Sequence, residues 1–239
     1  MEKIHCRHGF RWVHPVHEVL EYSGDLADNS VWIHDLVLNH YPDLSKPRSE
    51  YLPLLELSVA ENPDDDRTLF WLGREYMYYQ KYDKCIEILQ KHLRMPSASW
   101  NEERSASMRF IAKSYQMNGD FHEAKCWLYK AIAECPRVRE PYLQMAQLAY
   151  IENEWPLVYL MATEALKITE KSTSYLLELD GWGYIFYDLG AISAYHLGIF
   201  DVSYSFAEKA CSASPNDPRL INNLELIKLK LSNNGGQNE

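Results

Sequence analysis

Three things are scarce in this 239-residue chain. It has no apolar run near the eighteen or so residues of a membrane span. Its opening, MEKIHCRHGFRW, lacks the apolar centre of a secretion leader. Positive charge is also in deficit: 24 Lys and Arg against 34 Asp and Glu leave a net charge of -10. Neutralising phosphates needs a basic face, so a nucleic-acid partner is not expected. Cysteine is sparse and unpatterned. Cys6, Cys85, Cys126, Cys135 and Cys211 are odd in number and form no CxxC pair, which argues against a disulfide framework and for a reduced, cytoplasmic compartment. A soluble protein with no membrane partner is the expectation.

What is present is an ordinary globular balance, 46% hydrophobic and 24% charged residues, enough to build a sizeable core. A pattern recurs along it. The clearest copy runs Met108, Ile111, Ala112, Tyr115, Gly119, Phe121, Ala124, Leu128, Ala131, Pro136. Others begin at Leu69, at Tyr142 and at Tyr187, and align on Gln80, Asn153 and Gly198. Small residues at Gly73, Ala112, Ala146 and Ala191 allow two helices to approach closely. Gly or Asn at the aligned turn tolerates φ > 0, and Pro136 and Pro215 end second helices. This order resembles the tetratricopeptide repeat, a helical hairpin of about 34 residues. The turns lie 39, 34 and 45 residues apart, and the excess falls in MPSASWNEERS and EKSTSYLLELDGW. These are expected to be longer inter-repeat loops or helix extensions.

The predicted fold is therefore an all-α solenoid of about four hairpins over residues 46–232, after an extended or β segment over 1–45. PRSEYLPLLELSVA should form a helix covering the first repeat, and DPRLINNLELIKLKLS a capping helix over the last. Residues 233–239 have nothing to bury and are expected to be disordered. Asp64, Asp65 and Asp66 follow Asn62-Pro63 and read as carboxylates at a helix start.

The front segment holds six of the nine histidines and two β-prone stretches, FRWVHPV and VWIHDLVL. It is too short for a core of its own, so it is either the end of something larger or a strand pair leaning on the first repeat. A zinc site from His5, Cys6, His8, His14 and His17 finds no closed four-ligand spacing, and a Cys6-based nucleophile has no visible third group. The string Arg11-Trp12-Val13-His14-Pro15-Val16-His17-Glu18-Val19-Leu20 resembles the closing motif of family 2 glycosyltransferase domains of the GT-A type. With the repeats behind it, the chain resembles the C-terminal region of bacterial enzymes of that family. The resemblance implies His17 as a metal ligand, with His14 and Glu18 on the acceptor side. It also implies Mn or Mg with a nucleotide sugar as cofactors, if a catalytic domain is joined. The nucleotide-binding half and a DxD strand are missing, so the chain alone is expected to be inactive, whether as a fragment, a split gene product or a decayed relative.

Ligands of such arrays bind the first helix of each hairpin. Counting from the alignment places Arg67, Phe70, Arg74, Tyr78, Arg109, Lys113, Gln116, Gln147, Tyr150 and Tyr195 on the groove. Four cations there would hold an acidic segment, since guanidinium forks fit carboxylates. The partner is then either an acidic protein or peptide, or the catalytic domain of a glycosyltransferase. Two functions follow: an acceptor-binding, protein-interaction module of such an enzyme, or a stand-alone tetratricopeptide scaffold for an acidic peptide.

Overall fold

The computed structural model describes residues 5, 8–14, 16, 18–25, 27, 31, 33, 35, 39, 41 and 51–235, with side chains in the last helix to Asn233. Two short antiparallel strands come first, β1 (Phe10–Val13) and β2 (Val19–Tyr22), paired Phe10 to Tyr22 and Val13 to Val19. The β-prone FRWVHPV stretch supplies β1, but VWIHDLVL supplies no strand among its described residues; β2 is VLEY. The hairpin leans on the first repeat. Val16 is buried in that repeat's core, and His14 Nδ1 lies 3.0 Å from the Asp65 carboxylate.

Ten α-helices follow among the described residues: α1 (Tyr51–Glu61), α2 (Asp66–Tyr78), α3 (Tyr82–Arg94), α4 (Asn101–Met117), α5 (Phe121–Glu134), α6 (Glu140–Ile151), α7 (Trp155–Leu166), α8 (Ile185–His196), α9 (Phe200–Ala213) and α10 (Pro218–Gly235). Helices α2 to α9 form four hairpins, each packed on the next. Helix α1 covers the first: Leu52 and Leu55 are buried in its core, and the Tyr76 hydroxyl donates to Glu56 at 2.8 Å. Helix α10 caps the last through Leu220 and Ile227, and it runs to Gly235, past the Ser232 end expected from sequence. Residues 236–239 of the expected tail lie outside the described residues. Asp65 caps α2, accepting the Thr68 amide at 3.3 Å.

The hairpins reverse by one device. Gln80, Gly119, Asn153 and Gly198, the aligned turn positions, have φ of 59°, 84°, 58° and 76°. The next amide then reaches back to close the helix end: Lys81 to Tyr76 at 2.8 Å, Asp120 to Tyr115 at 2.9 Å, Glu154 to Ala149 at 2.9 Å and Ile199 to Ala194 at 3.0 Å. This six-residue closure satisfies carbonyls that the helix leaves open. Where the paired helices cross, Gly73 faces Leu89 so closely that a Cβ would stand 2.3 Å from Leu89 Cδ2. Ala112, Ala146 and Ala191 are likewise buried at crossings. Both interruptions differ from plain repeat. The first becomes a loop and the early turns of the 17-residue α4, and the second leaves the helical array altogether.

Two substitutions test these devices in opposite directions. Leu89 is fully buried and has no room to retreat, so Gly73→Ala should cost roughly 1–3 kcal/mol. Gln80→Gly should stabilise by about 1 kcal/mol, because a side chain in left-handed backbone is strained. Urea unfolding midpoints should move in opposite directions for the two variants.

Candidate functional site

The first helices of the hairpins, with α10, enclose a groove of about 930 Å³. Of the residues expected there, Tyr78, Lys113, Gln116, Gln147 and Tyr150 line it. They share the wall with Phe110, Gln144, Ile185, Leu189 and Ile192, and with an ion pair in which Arg219 lies 2.8 Å from Asp188. The floor is apolar and the walls carry three glutamines, each offering a donor pair and an acceptor. Lys113 Nζ donates to Gln116 at 3.2 Å. Asp188 is buried, and burial raises its carboxyl above the usual range, with the Arg219 bonds pulling the other way.

The other expected groove residues lie elsewhere. Phe70 is fully buried, ringed by Trp71, His92 and Phe110, and belongs to the first repeat's core. Arg109 is 3% exposed and pairs with Glu178, so it is a buried structural ion and not an open ligand contact. Arg74 lies over the Trp71 and Tyr78 rings at 4.8 and 5.5 Å, and Arg67 is half-buried nearby. Tyr195 packs on the core of the last repeat and against Phe200. The four cations therefore do not share the open groove.

Arg67, Arg74 and Arg109 instead meet the second interruption, which folds back over the first-repeat end of the concave face. Tyr175 stacks on Trp71 with centroids 5.6 Å apart, and its hydroxyl donates to Glu103 at 2.9 Å. Ser172 donates to Glu102 at 2.8 Å, Leu176 packs against the first core, and the Glu178 amide donates to Glu140 at 2.9 Å. Arg139, beneath, bonds the Ile168 and Gly181 carbonyls at 3.0 and 2.9 Å, and its guanidinium lies 4.0 Å from the Trp182 ring centroid. A 3-10 turn, Leu179–Trp182, leads back into α8. The chain thus lays its own strap, with an aromatic and an acid three residues apart, where an acidic ligand was expected. The sequence showed the insertion as an excess of residues between Asn153 and Gly198, but nothing in its composition told where it would lie.

The front residues take other roles. His17 lies outside the described residues. His14 bonds Asp65 and reaches Thr68 Oγ1 at 3.4 Å, while Glu18 is exposed. Thiol chemistry finds little support: burial pushes the Cys85 thiol up to about 11, and Cys135 and Cys211 are also raised by burial. A nucleophilic cysteine needs the opposite shift. Among the described residues no helix is long and apolar enough to cross a membrane.

No family model matches the sequence, and no curated protein matches it. Solved structures do match in fold. The structure of MamA has a TM-score of 0.57 at 16% identity, over 75% of this chain and 99% of that one. YrrB, described as a tetratricopeptide-repeat protein with an unusual peptide-binding site, gives 0.54 at 11% identity over 73% and 81%. A chain of the APC/C hetero-tetramer Cut9–Hcn1 gives 0.54 at 14% identity over 77% of this chain, which spans only 33% of that longer one. The fold is a tetratricopeptide-type helical solenoid.

Burial, the Glu103 charge and the bond to Glu103 all raise the Tyr175 hydroxyl above its ordinary 10.0. A raised folded value means that its stabilisation is whole below about pH 10 and is lost as pH rises through that higher value. Tyr175→Phe should therefore lower stability by the lower part of about 0.5–1.5 kcal/mol at neutral pH, since the residue is 52% exposed. Urea midpoints of the two proteins should converge at strongly alkaline pH. Separately, mass mapping after brief treatment with a thiol reagent at pH 8 should leave Cys85 unmodified until denaturant is added.

Proposed function

We propose that this chain is a stand-alone scaffold that holds an extended peptide in the groove beyond the strap. The observation that carries this reading is the open groove's wall of Gln116, Gln144 and Gln147 over an apolar floor. Amide side chains read the backbone of an extended peptide, which offers donors and acceptors at every residue. Tyr78 and Tyr150 add wide, partly exposed rings at low conformational cost. Among the described residues Lys113 is the groove cation not engaged with an acid, its ammonium bonding Gln116 instead, so one carboxylate in the peptide would sit beside it. YrrB's description as peptide-binding belongs to YrrB, and it makes the same use of this fold a natural reading here.

The tie to glycosyl transfer rests on the Arg11–Leu20 string, and none of the similar structures named above adds to it. The described part of that string forms a small hairpin whose His14 is engaged with Asp65. The acidic-peptide scaffold is the reading the groove favours.

A random peptide library selected against the full chain tests it. Selected peptides should bind in fluorescence anisotropy. Gln147→Ala with Tyr150→Ala should weaken binding at least tenfold, because truncating buried contact residues costs about 1.4 kcal/mol or more. Lys113→Ala should do so only for peptides that carry an acid. Both variants should keep the wild-type circular dichroism, since Gln147, Tyr150 and Lys113 stand off the core. Peptides that bind equally well to the double variant would place the site elsewhere and defeat the proposal.

A further inference from the structure

Three residues that the groove does not use converge where the first two hairpins meet. Asp66 opens α2, His92 lies in the last turn of α3, and Glu103 in the first turn of α4. Their ligating atoms all lie within 4.8 Å of one another. His92 has no exposed surface and Glu103 is 8% exposed. Helix α3 buries Cys85, Leu89 and His92 as one stripe, so the imidazole stands where an apolar side chain would pack.

The ring is held but incomplete. His92 Nδ1 is 3.0 Å from Ser107 Oγ, itself fully buried. Nε2, on the other side, has no hydrogen-bond partner among the described residues, although Glu103 Oε1 is 3.5 Å away. If Nδ1 carries the proton, it donates to Ser107, and the bare Nε2 lone pair then faces a carboxylate. If Nε2 carries it, a buried N–H stays unbonded. Either tautomer leaves a polar atom unsatisfied at a cost that a fully buried group rarely bears. A metal ion between Nε2 and Oε1 removes the conflict, whereas a second ring proton would meet Oε1 only across 3.5 Å, long for a hydrogen bond.

We propose that Asp66, His92 and Glu103 hold one divalent transition-metal ion, with zinc as the best match. Zinc bonds to nitrogen and carboxylate oxygen of about 2.0–2.2 Å set neighbouring ligands of a tetrahedron about 3.4 Å apart, close to the Nε2–Oε1 separation of 3.5 Å. Imidazole with carboxylates suits zinc and its neighbours, whereas calcium and magnesium take oxygen alone. The two carboxylates balance the ion's charge. Outer contacts of the kind that orient metal ligands are already in place: Ser107 on Nδ1, and the Tyr175 hydroxyl on Glu103 Oε2, which leaves Oε1 for the ion. Arg67 and Arg74 stand close enough to act on Tyr175. Because Glu103 also anchors Tyr175, a bound ion ties α2, α3 and α4 to the strap.

The test titrates the untagged, chelator-stripped full chain with zinc in a calorimeter and follows cobalt binding by its visible spectrum. One equivalent should bind and raise the melting temperature. Asp66→Asn and Glu103→Gln should each weaken binding at least tenfold and abolish the melting shift. His122→Ala with Cys126→Ala removes the partly exposed His122, Glu123 and Cys126 group on α5 and should change neither. Asp66 is only partly buried, so its variant decides the matter even if Glu103→Gln fails to fold. Absence of binding at a hundredfold excess of zinc overturns the proposal. So does binding that survives Asp66→Asn, which would place the ion on other histidines.

Discussion

A helical hairpin in this chain has an apolar face too broad to bury alone, and everything else follows from how closely its two helices approach. Leu89 seated against the bare Cα of Gly73 sets that distance in the first repeat, and Phe206 against Gly190, with a Cβ position only 3.2 Å from the ring, sets it in the last. Close crossing leaves the first helices side by side on one face. That face becomes a groove because each chain reversal takes the same left-handed residue and the same backward hydrogen bond. The repeat is thus a geometric unit before it is a sequence pattern, and Gln80 performs the turn as Gly119 does.

The strap is the departure from that regularity, and it governs what the concave face can do. It fills the first-repeat end with Tyr175 on Trp71 and Glu178 on Arg109, and it leaves open the stretch around Gln144, Gln147 and Tyr150. Ordering a loop of this length loses conformational entropy. Stacking, a core leucine and bonds to three acidic side chains, Glu102, Glu103 and Glu140, offset that loss. A partner that competed for this end would have to replace all of them. A partner in the open stretch displaces only water.

The repeats, their turns, the leading helix and the capping helix were legible because small residues, turn residues and apolar spacing are local signals that packing enforces everywhere. The front strand pair was half legible: FRWV formed a strand, but its mate was VLEY and not the more apolar VWIHDLVL, because pairing followed a short local reversal. Five of the ten expected groove residues line the groove. Arg109 failed because the strap's Glu178 covers it, and Phe70 because it belongs to the first repeat's core, although each shares a helix face with residues that do line the groove. The strap's landing place was invisible because it depends on Trp71, Glu103 and Glu140, which are far away in sequence. His92 did have a signal, a histidine in step with Cys85 and Leu89 on an otherwise apolar stripe.

Charge reads differently once the pairs are known. The acidic balance of the chain suggested that cations on the concave face were kept for a partner. Arg109 and Arg219 are instead neutralised by Glu178 and Asp188, and Arg74 lies against aromatic rings. In each pair one member is buried and the other half-exposed, and a pair with a buried member fixes geometry more than it attracts ligands. Removing one member would leave a buried charge, so Arg109 is maintained by Glu178 whatever the groove binds. Recognition in the open stretch therefore falls to amides, tyrosines and one lysine. Such a surface selects on backbone shape and side-chain fit, and it responds to salt far less than a four-cation groove would.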